Sequence, residues 1–524
     1  MRVAVLEILA LPEKRPPYLF YHLLLTKQYA SVMPQAVSAW CRQLGHEVSY
    51  ATYYGIGDPL RLIPSDADFV FLSCYTQVSP LAYALAKILR RGGITTVLGG
   101  PHAKAFPSDA VRFFDYVVEE CDRDLVVSLL KREHRPSSIV SSEKPPTELP
   151  LVEERLPEIC RASLFFGRAG GPTTTIALLA SLGCPYSCNF CIDWKSVYRT
   201  MPADRLAEDL RFIAQRFPNA LVAFHDPNFA IKFDETLSAL ETQAPDARLP
   251  YLMESSLSVL KPARMARLGA TNCVFIAPGI ESWDDYSNKS NGASKKGMEK
   301  VENVVAQLTE LHAHVPNLQA NFMFGLDTDC GDMPIDLLKC FMDATPFVWP
   351  TINIPVPFGG TPLFDELKRN DRILEEMPFR FYYAPYSVTK IRHYDPCAYY
   401  RRLIELFDHC SSREMLARRL EAGRTKTEKL VNAARVLSVR AEIKQYRRIL
   451  RELETDAELR GFHAGAHRRL PNFYRAEYGR GLGRYAKLLD DDERRPVLEG
   501  FGTDRMERQS IAEAPAFRDR GLSA

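Results

Sequence analysis

Three cysteines carry the most distinctive chemistry in this chain. Cys184, Cys188 and Cys191 lie within the stretch LGCPYSCNFC, spaced C-x3-C-x2-C. A thiolate is a soft ligand suited to iron, and iron–sulfur clusters are held by short cysteine runs. Three local cysteines hold three irons of a 4Fe-4S cluster and leave the fourth open to another ligand. Gly183 before the first cysteine and Pro185 after it favour the tight loop that lets three side chains converge. Phe190, just before the last cysteine, can cover the site. The same residues can also be read as three inert buried cysteines, or as a zinc site short of its fourth ligand.

The elements that must position this loop alternate between strand and helix. From Thr173 to about Tyr386 the pattern gives six strand–helix units. TTTIALLASLGC runs straight into the cysteine loop, and ALVAFHDPNF, LPYLMESS, NCVFIAPGIES, LQANFMFGLDTD and WPTINIPVPFGGTPLF follow. Six such units read as an open barrel with its active groups at the carboxyl ends of the strands. Residues 1–140 show a separate alternation of five strands, which implies a doubly wound parallel sheet binding ligands outside its strand ends. Two of its loops, SCYTQ (Ser73 to Gln77) and GGPHA (Gly99 to Ala103), are of interest because glycines let a backbone approach a flat ligand. Residues 141–170 are Pro/Ser-rich and read as a linker, with the preceding polar stretch from 132 of the same character. Residues 387–524 read as mainly helical with a frayed end. The fold class expected is therefore α/β: a Rossmann-like domain, an open (β/α)6 partial TIM barrel over 171–386, and a helical region.

These motifs resemble a known superfamily. The C-x3-C-x2-C run with an aromatic before its last cysteine is similar to the signature of radical SAM enzymes, in which the open iron binds S-adenosylmethionine. The later loops follow the same order. HDPNFA resembles the family's F-x-D-D-x-F stretch, with Asp226 at the key acidic place and Pro227 in place of the second acid. Glu254, Ser255 and Ser256 end the third strand, where the family uses polar residues on the cofactor. PGIES carries Glu281, FMFGLDTD matches the usual FGLPGET with Asp327 and Thr328 as departures, and PFGGTPLF resembles the closing PFPGTPLY. The resemblance implies S-adenosylmethionine contacts from Phe190, Asp226, Glu254, Ser256 and Glu281. On physical grounds alone, an acid at a strand end can accept from ribose hydroxyls or an ammonium, or can cap a following helix.

The first domain is similar to the cobalamin-binding domain that precedes many radical SAM cores. The resemblance implies cobalamin contacts from Ser73, Thr76, Gly99, Gly100 and His102. There are two departures. The loop after the first strand, LALPEKRPP, lacks the D-x-H-x-x-G histidine of the other branch, and Glu119-Glu120-Cys121-Asp122 stands where an RGEGE-like stretch is usual.

Composition sets the outer bounds. The 524 residues suffice for two to four domains, and a net charge of +2 gives no global field for nucleic acid. There is no apolar run long enough to span a membrane, and the start reads as a strand and not a signal peptide. Twelve cysteines without regular pairing, together with an oxygen-labile cluster, fit a reducing cytoplasm. Between Arg401 and Leu450 there are 13 lysines and arginines against 6 acids, which reads first as a solvated helix face and otherwise as a site for an anionic substrate or RNA. The aromatic run FRFYYAPY (Phe379 to Tyr386) reads as a packing seam or as a wall over the site.

The expectation is an enzyme with a 4Fe-4S cluster, S-adenosylmethionine and cobalamin that methylates an unactivated carbon of a small molecule or lipid. A flavodoxin- or ferredoxin-like electron donor is the implied partner. Radical cyclisation or rearrangement without methyl transfer, and non-catalytic corrinoid or cluster binding, are the alternatives.

Overall fold

Short runs of β-branched and aromatic residues build two parallel sheets, and a computed structural model describes how they meet over residues 1–12, 30–163, 174–194, 196–229, 231–284 and 295–498. The first sheet contains β1 (Arg2–Ile8), β2 (Glu47–Tyr53), β3 (Phe69–Cys74), β4 (Thr95–Gly99), β5 (Tyr116–Val118) and β6 (Ser138–Val140). They pair in the order β2-β1-β3-β4-β5-β6, all parallel. Both faces are covered: Val3 and Val5 pack into one core cluster, and Ala4, Leu6 and Ile8 into the other. The strand order reverses between β1 and β3, which places a ligand crevice at their carboxyl ends.

The second sheet contains β7 (Thr175–Leu178), β10 (Leu221–Phe224), β11 (Tyr251–Ser255), β12 (Cys273–Glu281), β13 (Asn317–Met323) and β14 (Val348–Asn353). These run strictly in sequence, with β7 and β14 at the two edges, so the barrel stays open. A short antiparallel ribbon, β8 (Ser181–Leu182) with β9 (Arg199–Thr200), frames the cysteine loop. One hydrophobic cluster runs from Leu6 and Leu72 through Ile176 and Val222 to Leu403, so the first sheet, the barrel and the helical region share a core.

One sequence expectation is corrected. The stretch read as loop and linker contains β6 and the helix Leu156–Ser163. Tertiary contacts hold that helix: Glu158 accepts from the Ser38 hydroxyl at 2.8 Å and from Arg42, while the Arg155 guanidinium donates to Gln35 Oε1 at 2.7 Å. The region read as mainly helical opens with three helices, Pro396–Cys410, Arg413–Ala422 and Lys426–Thr455. Ser412 and Thr425 restart the chain by accepting from the Met415 and Glu428 N–H groups, the usual role of a hydroxyl at a helix start.

The aromatic run from Phe379 is a packing seam. The Phe379 ring lies 4.4 Å from that of Phe106 of the first domain, tilted by 44°, and Phe381 lies 4.8 Å from Tyr474 of the helical region. The last described residues return across the first domain, where Lys87 pairs with Glu493, and Arg484 and Tyr485 both bind Asp58. The frayed end expected for the final residues lies outside the described residues. Among the described residues, no helix is long and apolar enough to cross a membrane.

Candidate active site

The carboxyl ends of both sheets open into one cavity of about 2870 Å³. Ser73, Gly99, Gly100 and Lys104 line it from the first domain, and Gly183, Cys184, Asp193, Asp226 and Glu254 from the barrel. Arg435 of the helix Lys426–Thr455 completes a third wall.

The cysteine loop is anchored on several sides. Gly183 has φ +69°, and a Cβ there would lie 2.2 Å from the Val197 carbonyl oxygen, so only glycine fits. The Cys184 N–H donates to Ser196 Oγ at 3.0 Å, and that hydroxyl donates on to the Asp193 carbonyl at 2.8 Å. Tyr186 bonds to Ser258 Oγ at 2.7 Å, and the Leu363 N–H of the PFGGTPLF turn donates to the Asn189 carbonyl at 3.0 Å. Cys184 and Cys188 are buried and Cys191 is half-buried.

Among the described residues, no three His, Cys, Asp or Glu side chains converge on a single ion. A cluster does not require that, since each cysteine binds a different iron. Three thiols on one locked loop, one of them on the cavity wall, fit a cluster held at three corners. In a Gly183→Ala variant the loop must shift, and iron retained after reconstitution should fall by about half or more; undiminished iron would contradict this role for the glycine.

Asp226 positions the entry to this loop. Its buried carboxylate accepts from the Ala180 N–H at 3.0 Å and from the Ser181 hydroxyl at 2.5 Å, tying the end of β10 to the chain leaving β7. Burial pushes its pKa from 3.8 up to about 6, against the opposing pull of those hydrogen bonds. The folded chain therefore holds this proton more tightly than the unfolded one. The resulting stability is full below pH 3.8 and lost as pH rises through about 6. Measured on the metal-free chain, the stability of wild type relative to Asp226→Asn should fall by about 2 kcal/mol between about pH 4.5 and about pH 8. A pH-independent difference would refute the assignment.

The other sequence candidates divide into two groups. Glu254 is exposed on the cavity wall, and Ser73, Gly99 and Gly100 also line it. Gly100 has φ +86°, and a Cβ there would lie 2.6 Å from Ser73 Oγ, so the two loops touch only because it is glycine. Phe190, Ser256, Glu281, Thr76 and His102 lie off the cavity wall. Ser256 is fully buried and joins Asn228, Ser258 and the Tyr186 hydroxyl. Glu281, at φ +67°, folds back over Gly279.

His102, read above as an implied cobalamin contact, points away from the cavity. Its ring is fully buried between the Tyr83 hydroxyl at 2.6 Å and Thr76 Oγ1 at 3.3 Å, and burial pushes its pKa down to about 3. The departure at Asp327 also has a structural account, since its carboxylate binds Arg372 at 2.6 Å and Arg392 at 3.3 Å.

Sequence reasoning missed a bridge across the cavity wall. Lys104, just after the GGPHA loop, lies 3.0 Å from Asp193 of the cysteine loop and 3.0 Å from Glu120 after β5. Burial opposes its charge, but the two carboxylates outweigh that and hold the ammonium above the ordinary lysine range. The available signal was a charged residue in or just after each of three motif loops.

No family model matches the chain. Bacteriochlorophyllide d C-12(1)-methyltransferase of Chlorobaculum tepidum is 23% identical over 345 residues, spanning 64% of this chain and 73% of that protein. Bacteriochlorophyllide d C-8(2)-methyltransferase of the same organism is 24% identical over 409 residues, spanning 73% of this chain and 86% of the relative. Among solved structures, the cobalamin-dependent S-adenosylmethionine radical enzyme OxsB, with aqua-cobalamin bound, superposes with a TM-score of 0.55. That match covers 97% of this chain and 79% of OxsB at 11% identity, and so bears on the fold alone.

Proposed function

We propose that this chain, a radical S-adenosylmethionine enzyme with an N-terminal cobalamin-binding domain, methylates an unactivated carbon of a bulky, largely apolar small molecule. One observation carries the reading: the cysteine loop and the glycine loops of the first sheet face the same cavity. When bound, the cluster and S-adenosylmethionine supply a radical that takes a hydrogen from carbon, and cobalamin supplies the methyl group.

The chain's own residues bind, orient and enclose. Cys184, Cys188 and Cys191 would hold the cluster, with Asp226 and Tyr186 fixing the loop that carries them. Glu254 is placed to accept hydrogen bonds from a cofactor in the barrel. Ser73, Gly99 and Gly100 offer a close-approach surface for a corrin face. Hydrogen abstraction from an unactivated carbon calls for no catalytic base. Two relatives are named for methylating bacteriochlorophyllide d, and a cavity of about 2870 Å³ exceeds the ~300–1,000 Å³ of an ordinary ligand pocket, as space for two cofactors and a substrate requires. An electron donor of flavodoxin or ferredoxin type is the expected partner.

Anaerobic reconstitution with iron, sulfide and hydroxocobalamin, followed by desalting and metal analysis, tests the reading. About four irons and about one cobalt per chain are expected. Iron without cobalt would remove the methyl-transfer reading and leave a radical enzyme whose first domain is structural.

A further inference from the structure

We propose that the outer face of the helix Lys426–Thr455 docks on the surface of an anionic phospholipid bilayer. The helix packs inward through Val436, Val439, Ile443, Tyr446, Ile449 and Leu453. Opposite them, Leu430, Ala434, Leu437 and Ala441 follow one another at helical spacing, a stripe about 17 Å long. Leu430 is 70% exposed and Leu437 65% exposed, the highest values for large apolar side chains among the described residues. This is a different situation from scattered surface leucines, because the two stand on one face, two turns apart.

Cations flank the stripe. Lys426, Lys429, Arg440 and Lys444 are exposed on or beside the same face, and the three lysines make no ion pair among the described residues. The one acid between Lys429 and Lys444 is Glu442, which falls on the other flank, one heptad after Arg435. An apolar stripe bordered by lysine and arginine is the pattern of a helix lying in a membrane interface, its leucines among acyl chains and its cations at anionic headgroups.

The same charge selects the occupant. A symmetric dimer through this face would bring two sets of uncompensated cations together, which repel. A nucleic acid would satisfy the lysines and leave the leucines in water. A bilayer surface satisfies both. Val431, Ala434, Arg435 and Ser438 of this helix also line the cavity, so the docked face borders the route into it. Delivery of a lipophilic substrate by that route rests on the function proposed above, whereas the docking itself does not.

The test is flotation of the full chain with vesicles of phosphatidylcholine, alone or with about one third phosphatidylglycerol. The chain should float with the anionic vesicles and not the neutral ones, and should be released at about 0.5 M salt. Leu430→Glu/Leu437→Glu should lower the bound fraction about tenfold or more, and Lys426→Glu/Lys444→Glu several-fold, with unchanged melting temperatures because all four side chains are exposed. Three results would overturn the proposal: no flotation of wild type with anionic vesicles, flotation of both variants equal to that of wild type, or a solution dimer that the leucine variant dissociates.

Discussion

A Cys188→Ala chain forms no measurable 5′-deoxyadenosine from S-adenosylmethionine under reducing conditions, and Cys184→Ala and Cys191→Ala behave alike. This is the largest effect expected of any substitution in the molecule. Each thiolate would hold one corner of the cluster, so losing one exposes a second iron and the assembly is lost as a unit. The chain itself should survive. The removed sulfur is small, and the loop keeps the Ser196, Asn189 and Tyr186 hydrogen bonds that do not involve sulfur. Iron per chain should fall from about four to near zero while circular dichroism is unchanged. Full 5′-deoxyadenosine formation by Cys188→Ala would sink the cluster assignment.

The second large effect is expected at Lys104. Its ammonium joins Asp193 of the cysteine loop to Glu120 of the first domain. Lys104→Met removes the cation and leaves two carboxylates facing each other on the cavity wall. Breaking a buried pair by deleting one partner costs about 3–5 kcal/mol. The carboxylates here are partly exposed, at 21% and 37%, so water screens much of that cost. A loss of about tenfold in hydroxocobalamin affinity remains a reasonable expectation, because the two loops are then no longer held together. Lys104→Arg should restore most of it. Glu120→Gln should do less harm than Asp193→Asn, since Glu120 is the more exposed partner. The measurement is absorbance titration of the cluster-loaded chain. Equal affinity in wild type and Lys104→Met would show that the bridge contributes nothing to cobalamin binding.

What was legible of the candidate site is chemistry that is local. The cysteine spacing, the glycine before it and the order of the loops all reside in short segments whose residue types have few other uses. The six strands of the barrel and five of the six in the first sheet were legible for a similar reason, since apolar runs and turn signals repeat along the chain. What failed was whatever depends on a distant partner. The helix Leu156–Ser163 looked like linker because its anchor is a buried exchange between Glu158, Arg42 and Ser38, more than a hundred residues away in sequence. His102 was read as a cobalamin contact through the family resemblance of its loop, and only the fold shows its ring turned inward to Tyr83. The basic helical stretch read first as a solvated helix face, because sequence gives its charge but not which side of each helix the core has taken.

The sequence by itself determined the cysteine chemistry, the alternation of strand and helix, and the glycines at Gly100 and Gly183 that tight backbone turns demand. Those features rest on ligand type, local periodicity and the steric cost of a Cβ, all of which act within a few residues. Only the tertiary structure decided that two strand-end crevices share one cavity, that Asp226 serves the cysteine loop, and that Lys104 joins the domains. Each of those depends on which groups share a low-dielectric space, and burial and charge pairing are set by the packing of the whole chain.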